Sequence, residues 1–321
     1  MDKVTAKIIE NNKCTGDYSN SNIQIELTGI TFHYANMLRR VLKTYIPTYA
    51  FPANQIKITK NTSIVNNDQV RERLANMPVM YVNNNEDTVK QFLELYDGNS
   101  PKENFLSMFV SYKNKTGKLT NVTTDMAKFY YLGKEIKSPY KKPFLFVKLN
   151  NNEEFECNCE ARLGLNLEEE YEDPAIYDPV AGCAYEQVEE NKFIFKYESK
   201  QQFDEREIMR RGLSCLIMRL EYLNNMVKDK VTAGKPEDQT QGILQIPNED
   251  MTLGGILGYI IQMHNDIEFA GDHQPNISKR NLQIRYKSKT NITDIFNESI
   301  DKLIGSLKSI AKQLKLDLIE I

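Results

Sequence analysis

The sequence predicts an α+β protein built from two related units in tandem, the first interrupted by a mostly β inserted domain. Three observations predict this. Two half-chains repeat the order strand, amphipathic helix, strand, long helix. A domain-sized stretch separates the middle elements in the first half only, and a run of linker composition lies between the halves.

Residues 23–27, Ile23-Gln24-Ile25-Glu26-Leu27, alternate apolar and polar as a half-buried strand does. After a turn at Gly29, residues 34–45 place Leu38, Val41, Leu42 and Tyr45 on one helical face, and Pro47 stops the helix. Residues 51–182 form the insertion, with strand-like runs at 56–59, 144–149 and 154–160 and little helix. The chain returns through a strand at 193–199 into a long helix from about Asp204 to Val227. Its apolar stripe is Met209, Leu213, Leu216, Ile217, Leu220, Leu223 and Val227.

Residues 231–241, with Gly234 and Pro236, read as the linker. A strand follows at 243–246, then a helix opening near Thr252 as N-cap, with Leu253, Ile256, Leu257, Ile260 and Ile261 on one face. A strand at 282–288 leads into a helix over 293–316. There Phe296, Ile300, Leu303, Leu307, Ile310 and Leu314 step by four and three, the seam of a helix lying along another helix. The expected division is therefore 1–50 with 183–230 as a discontinuous first unit, 51–182 as the insertion, 231–241 as the linker and 242–321 as the second unit.

Composition narrows the function. With 321 residues, 40% hydrophobic and 26% charged, the chain has too much apolar material to be mainly disordered. A net charge of −3 excludes a protein-wide electrostatic glove for nucleic acid. No apolar run suits a membrane helix, and Met1-Asp2-Lys3-Val4 does not begin a signal peptide. The odd, scattered set Cys14, Cys157, Cys159, Cys183 and Cys215 fits a reducing compartment, so a soluble intracellular protein is expected.

Chemistry-bearing motifs are absent. There is no phosphate-binding glycine loop and no His-Glu-x-x-His helix, and His33, His264 and His273 are dispersed. Cys157-x-Cys159 lacks a second pair at zinc spacing, and strand alternation predicts a buried face for both. Lys134, Lys137, Lys141 and Lys142 around Tyr140 read either as a phosphate-contacting loop or as a solvated turn between Pro139 and Pro143. The acidic run at 168–173 reads as a solvated loop. No catalytic residue, metal or cofactor is predicted.

Ala35-Asn36-Met37-Leu38-Arg39-Arg40-Val41-Leu42 followed by Ile46-Pro47-Thr48 resembles the signature helix of the alpha-type assembly subunits of multisubunit DNA-directed RNA polymerases. The likeness is to the D-type archaeal and third eukaryotic members of that family. Arg73-Leu74 with Met77-Pro78, Asp178-Pro179-Val180 and the strand at 193–199 resemble later elements of those proteins. Asn248-Glu249-Asp250-Met251-Thr252-Leu253-Gly254 and Phe269-Ala270-Gly271 are similar to their small partner, the L-type archaeal or eleventh eukaryotic member. The departures are Met251 for a usual His, Gly255 for a usual Asn, and His33-Tyr34 for Thr-Leu. The fused arrangement resembles that of large DNA viruses.

The resemblance implies a non-catalytic assembly platform. It implies docking of the second-largest subunit through Asn36, Arg39 and Arg40 and of the largest through the second unit, with a small zinc-bearing subunit as a further partner. It implies an internal pseudo-dimer core of Leu38, Leu42, Leu253, Ile256, Leu257, Phe296, Ile300, Leu303 and Leu307. Related insertions often carry a metal cluster, but residues 105–120 hold no cysteine, so none is expected here. DNA would be reached only through the complex, no membrane is involved, and the chain alone would be a monomer. Its place would be the site of transcription, or host cytoplasm and virion for a viral source. The rival reading is a free-standing nucleic-acid-binding module carried by the lysines around Tyr140.

Overall fold

A computed structural model describes residues 4–12, 21–80, 86–99, 106–167, 173–233, 240–276 and 279–319. Strands β1 (Thr5–Asn12) and β2 (Asn22–Thr28) pair antiparallel, and β2 turns Ile23, Ile25 and Leu27 inward as its alternation predicts. Gly29, at φ 78, supplies the left-handed turn into α1 (Phe32–Thr44). Helix α1 buries Tyr34, Leu38, Val41 and Leu42 and ends ahead of Pro47.

The chain then runs through β3 (Thr48–Ala50), β4 (Ile56–Asn61), α2 (Asn67–Ala75), α3 (Asp87–Lys90), α4 (Phe92–Tyr96), β5 (Leu106–Lys113) and β6 (Thr120–Thr123). It continues through β7 (Lys128–Tyr131), β8 (Lys134–Ile136), β9 (Leu145–Leu149), β10 (Glu154–Glu160) and β11 (Arg162–Gly164). Five of these strands form a sheet in the order β4-β10-β5-β7-β8, and β10 buries both Cys157 and Cys159 on one face. Among the described residues the insertion is strand-rich, as expected, with the short helices α2 to α4 besides, each too brief to display a periodic stripe.

The return strands are β12 (Val180–Glu189) and β13 (Lys192–Ser199), which complete a sheet ordered β1-β2-β13-β12 and feed α5 (Glu205–Ala233). At the start of β12, Val180 pairs with Ser199 of β13. Helix α5 runs into the stretch expected to be linker, since Gly234 is the first helix breaker after Gly212. The second unit repeats the pattern with β14 (Gln241–Pro247), α6 (Met251–Gln262), β15 (Ile267–His273), β16 (Asn281–Ser288) and α7 (Ile292–Gln313), its sheet ordered β14-β16-β15. Asp250 rather than Thr252 caps α6, accepting from the Thr252 amide at 2.6 Å. Helix α7 stops before the expected Leu316 because Lys315 is left-handed at φ 54.

The four helices of the two units share one core, α5 lying on α7, α1 on α6 and on α5, and α6 on α7. Leu38, Leu42, Leu253, Leu257, Phe296, Ile300, Leu303 and Leu307 are fully buried in it, and Ile256 is 1% exposed. Gly212 permits the α1–α5 approach, since a Cβ there would stand 2.4 Å from Leu42 Cδ2. The end of α7 is clasped to β1 and to α5 as well. Gln313 on α7 accepts from the Ala6 amide at 2.9 Å and donates to the Val4 carbonyl at 3.0 Å. Arg206 on α5 donates to the carbonyls of Leu314 and Lys315 at 2.7 and 3.0 Å.

A charge placed at the centre of this core has no partner and no water, a penalty comparable with the whole stability of a domain. Leu303→Asp is expected to abolish folding of both units together, read as loss of soluble protein and of the cooperative thermal transition.

Candidate docking interface

Two polar assemblies stand out, one buried where the units meet and one facing outward on α1. The buried one centres on Glu249, in the Asn-Glu-Asp run that opens α6. Asn248 takes the left-handed conformation at φ 60, which asparagine tolerates. Glu249 receives Nε of Arg219 from α5 at 2.5 Å, and these side chains are 0% and 1% exposed. The Tyr96 hydroxyl from α4 donates to the other carboxylate oxygen at 3.0 Å, and the Tyr45 hydroxyl at the end of α1 lies 3.1 Å from that of Tyr96. The Arg219 and Arg280 guanidiniums stand 4.0 and 4.1 Å from the Tyr96 ring centre. Burial pushes the Glu249 carboxyl up while the Arg219 charge holds it down. Burial, with Glu249 beside it, also pushes the Tyr45 and Tyr96 hydroxyls up, so both are protonated donors.

A second contact from the insertion lies at the start of α5, where buried Arg211 donates to Thr88 of α3 at 2.8 Å and pairs with Glu207 at 2.6 Å. The insertion is therefore welded to the helical core by α3 and α4.

The outward assembly lies on α1. Arg39 donates to Oδ1 of Asn36, one turn earlier, at 3.0 and 3.3 Å, which holds its fork along the helix surface. Lys43, a turn further on, pairs with Asp178 at 3.5 Å. Burial raises the Asp178 carboxyl against the pull of the Val180 amide and of Lys200 and Lys43. Beneath, burial pushes the Cys183 thiol up to about 12 although Arg39 draws it down. Asn36, Arg39 and Lys43 thus form a half-exposed polar stripe beside β12.

Arg40 does not share that stripe. Its Nε donates to Thr252 Oγ1 at 2.9 Å and its Nη2 stands 3.5 Å from Asp250, so it ties α1 to the cap of α6 across the two units. The expectation that Asn36, Arg39 and Arg40 act as one group is accordingly divided in space.

The sequence reading missed Tyr96, Arg219, Glu249 and Arg280 as a group. The available signal was a single arginine inside the apolar stripe of α5, between Ile217 and Leu220. Among the described residues no three His, Cys, Asp or Glu side chains gather as metal ligands, and no helix is long and apolar enough to cross a membrane. The acidic run at 168–172 and Cys14 lie outside the described residues.

Comparison with known proteins bears on these elements. A family model described as the RNA polymerase Rpb3/Rpb11 dimerisation domain matches residues 24–220, and a second of the same description matches residues 241–313. The chain is 24% identical over 325 residues to an Acanthamoeba polyphaga mimivirus protein named provisionally as a DNA directed RNA polymerase subunit, covering 90% of this chain and 89% of that one. It is 31% identical over 85 residues to RPAC2, a subunit of DNA-directed RNA polymerases I and III, of Schizosaccharomyces pombe, covering 26% of this chain and 68% of RPAC2. To the RPAC2 of Saccharomyces cerevisiae it is 35% identical over 80 residues, covering 25% of this chain and 53% of that protein.

Removing one partner of a buried ion pair leaves the other charge uncompensated, at a cost of about 3–5 kcal/mol. Arg219→Met and Glu249→Leu should each lower the unfolding free energy by about that amount, and the double variant by clearly less than their sum. Urea denaturation of the three variants measures the coupling.

Proposed function

The chain belongs to the RNA polymerase Rpb3/Rpb11 dimerisation-domain family, with two such domains in one polypeptide, and from that membership we propose a non-catalytic platform on which the large polymerase subunits assemble. The observation that carries the reading is the shared helical core. In it α1 and α5 of the first unit meet α6 and α7 of the second, so the surface that would otherwise recruit a partner domain is already filled. Tethering makes that pairing intramolecular, at a high effective concentration and with one copy of each half. The chain alone is then a monomer.

Docking of the second-largest subunit is assigned to the α1 stripe of Asn36 and Arg39, with Lys43 beside them. A guanidinium held along a helix suits carboxylates and carbonyls, which it meets through two parallel bonds. Arg40 acts from behind, positioning α1 on α6. The largest subunit falls to the second unit, and a small zinc-bearing subunit completes the set. No observation favours a free-standing nucleic-acid module, because the chain as a whole is acidic at −3. The proposed place of action is the transcription machinery, which for a viral source lies in the host cytoplasm and in the particle.

Co-expression of the tagged chain with the second-largest subunit from the same source, followed by size-exclusion chromatography in moderate salt, should yield a one-to-one complex. Asn36→Ala/Arg39→Ala should fold with an unchanged thermal midpoint and elute apart from that subunit. Arg40→Ala should instead lower stability by about 1 kcal/mol through its lost hydrogen bond to Thr252. Unchanged co-elution of the Asn36/Arg39 variant refutes the assigned surface.

A further inference from the structure

Soluble proteins guard the free edges of their sheets with charges, register breaks or short strands, because an open row of N–H and C=O groups invites another strand. Five of the six edges of the three larger sheets here follow that rule. Strand β1 carries Lys7 and Glu10 and breaks register between Ile8 and Glu10, and β12 carries Glu186 and Glu189 and breaks register twice. Strand β4 carries Lys57 and Lys60 and slips against β10, while β15 carries Glu268 and Asp272 and slips against β16. Strand β8 is three residues long, two of them Lys134 and Glu135. Strand β14 is the exception. Gln241-Gly242-Ile243-Leu244-Gln245-Ile246-Pro247 has no charge, and it pairs with β16 in unbroken register along its whole length.

The bonded side of β14 identifies its free side. The Asn248 amide donates to the Arg280 carbonyl at 3.0 Å and the Ser288 amide to the Thr240 carbonyl at 2.6 Å, so the even-numbered residues of β14 bond to β16. Gln241, Ile243 and Gln245 therefore point N–H and C=O away from it, and these groups meet no partner among the described residues. The first unit shows what belongs on such an edge. Leu244 and Ile246 stand opposite Ile284 and Leu282 as Ile25 and Leu27 of β2 stand opposite Phe195 and Phe193, and left-handed Asn248 and Gly29 follow the two strands. Strand β1 lies antiparallel on β2, with Ile8 opposite Ile25 and Ala6 opposite Leu27, and Ile25 is 1% exposed. Leu244, the counterpart of Ile25, is only half-buried.

We infer that the free edge of β14 takes an extended segment of the largest polymerase subunit as an added antiparallel strand. The source rests on the platform reading above, which gives that subunit to the second unit. The edge sets the chemistry of the segment. Main-chain hydrogen bonds to Gln241, Ile243 and Gln245 hold it, and small or branched apolar residues at alternate positions cover Leu244 and Ile246. A second copy of this chain suits the edge poorly. Symmetric pairing about Ile243 sets Gly242 opposite Leu244, with no side chain to cover it, and a shift toward the end of the strand brings in Pro247, which has no N–H.

Residue-resolved hydrogen exchange of the full chain, free and co-expressed with both large subunits, tests this. In the free chain the Ile243 and Gln245 amides should exchange about as fast as in an unfolded peptide, and in the assembly about a hundredfold slower or more. Ile243→Pro/Gln245→Pro removes two edge donors and no bond to β16. It should fold, keep the second-largest subunit and hold the largest about tenfold more weakly or worse. Where that variant does not fold, exchange in the wild-type assembly decides. Unprotected Ile243 and Gln245 amides in a formed assembly, or a folded proline variant that retains the largest subunit, overturns the inference. Protection that rises with concentration in the chain alone also overturns it, by making a second copy the occupant. If neither large subunit co-elutes, the platform reading fails, and the edge is probed with a synthetic peptide of residues 4–12 at about 1 mM. Slowed exchange at Ile243 and Gln245 then upholds strand addition without that source, and unchanged exchange overturns it.

Discussion

The arrangement of the whole chain turns on a carboxylate that has nowhere to put its charge except into Arg219. Glu249 is fully enclosed, and a lone ion there would cost several kcal/mol. Its neutralisation requires α5 to bring Arg219 and the insertion to bring Tyr96. Arg280 must close over the same ring, and Tyr45 must fix the hydroxyl behind it. Pieces separated by as many as 235 residues, from Tyr45 to Arg280, must therefore reach one point. A purely apolar contact would tolerate a slip of one helix along another, whereas a bonded ion pair does not.

This constraint changes the status of the insertion. By sequence it is an appendage placed between two strands of a complete unit. In space α3 and α4 reach back to the helical core, through Thr88 to Arg211 and through Tyr96 to Glu249, while the five-stranded sheet is a separate element of the insertion. One part of the insertion is thus structural to the pseudo-dimer, and the other is a sheet built on its own strands. The two units are also not equivalent. The first sheet has β1 as an extra strand beyond β2, whereas among the described residues β14 occupies the corresponding edge of the second with no strand outside it.

Legibility in the sequence followed physical range. The stripes of α1, α5, α6 and α7 could be read because a helix facing a core repeats its apolar residues locally, and Leu303 or Leu257 needs no distant information to be recognised. Strands β1 and β12 escaped because one lies at the edge of the sheet and the other is mostly exposed, so their alternation is weak. Helices α2 to α4 escaped because they are too short for a period. The polar junction was invisible for a different reason. Tyr96, Arg219, Glu249 and Arg280 are ordinary residues in sequence, and only the fold gives them a common address. Arg40 was legible as a candidate but not in its orientation, which depends on a cap more than two hundred residues away.

The clasp of Gln313 upon Val4 and Ala6 sets a timetable. The strand it holds leaves the ribosome 307 residues before the glutamine that secures it. Throughout translation β1 must wait on a sheet whose final latch does not yet exist. The apolar stripes of α1 and α5 meanwhile stand open to any passing surface. Because the two units share one core, folding one half early brings little protection. The latch on β1 can therefore close only after α7 has been made.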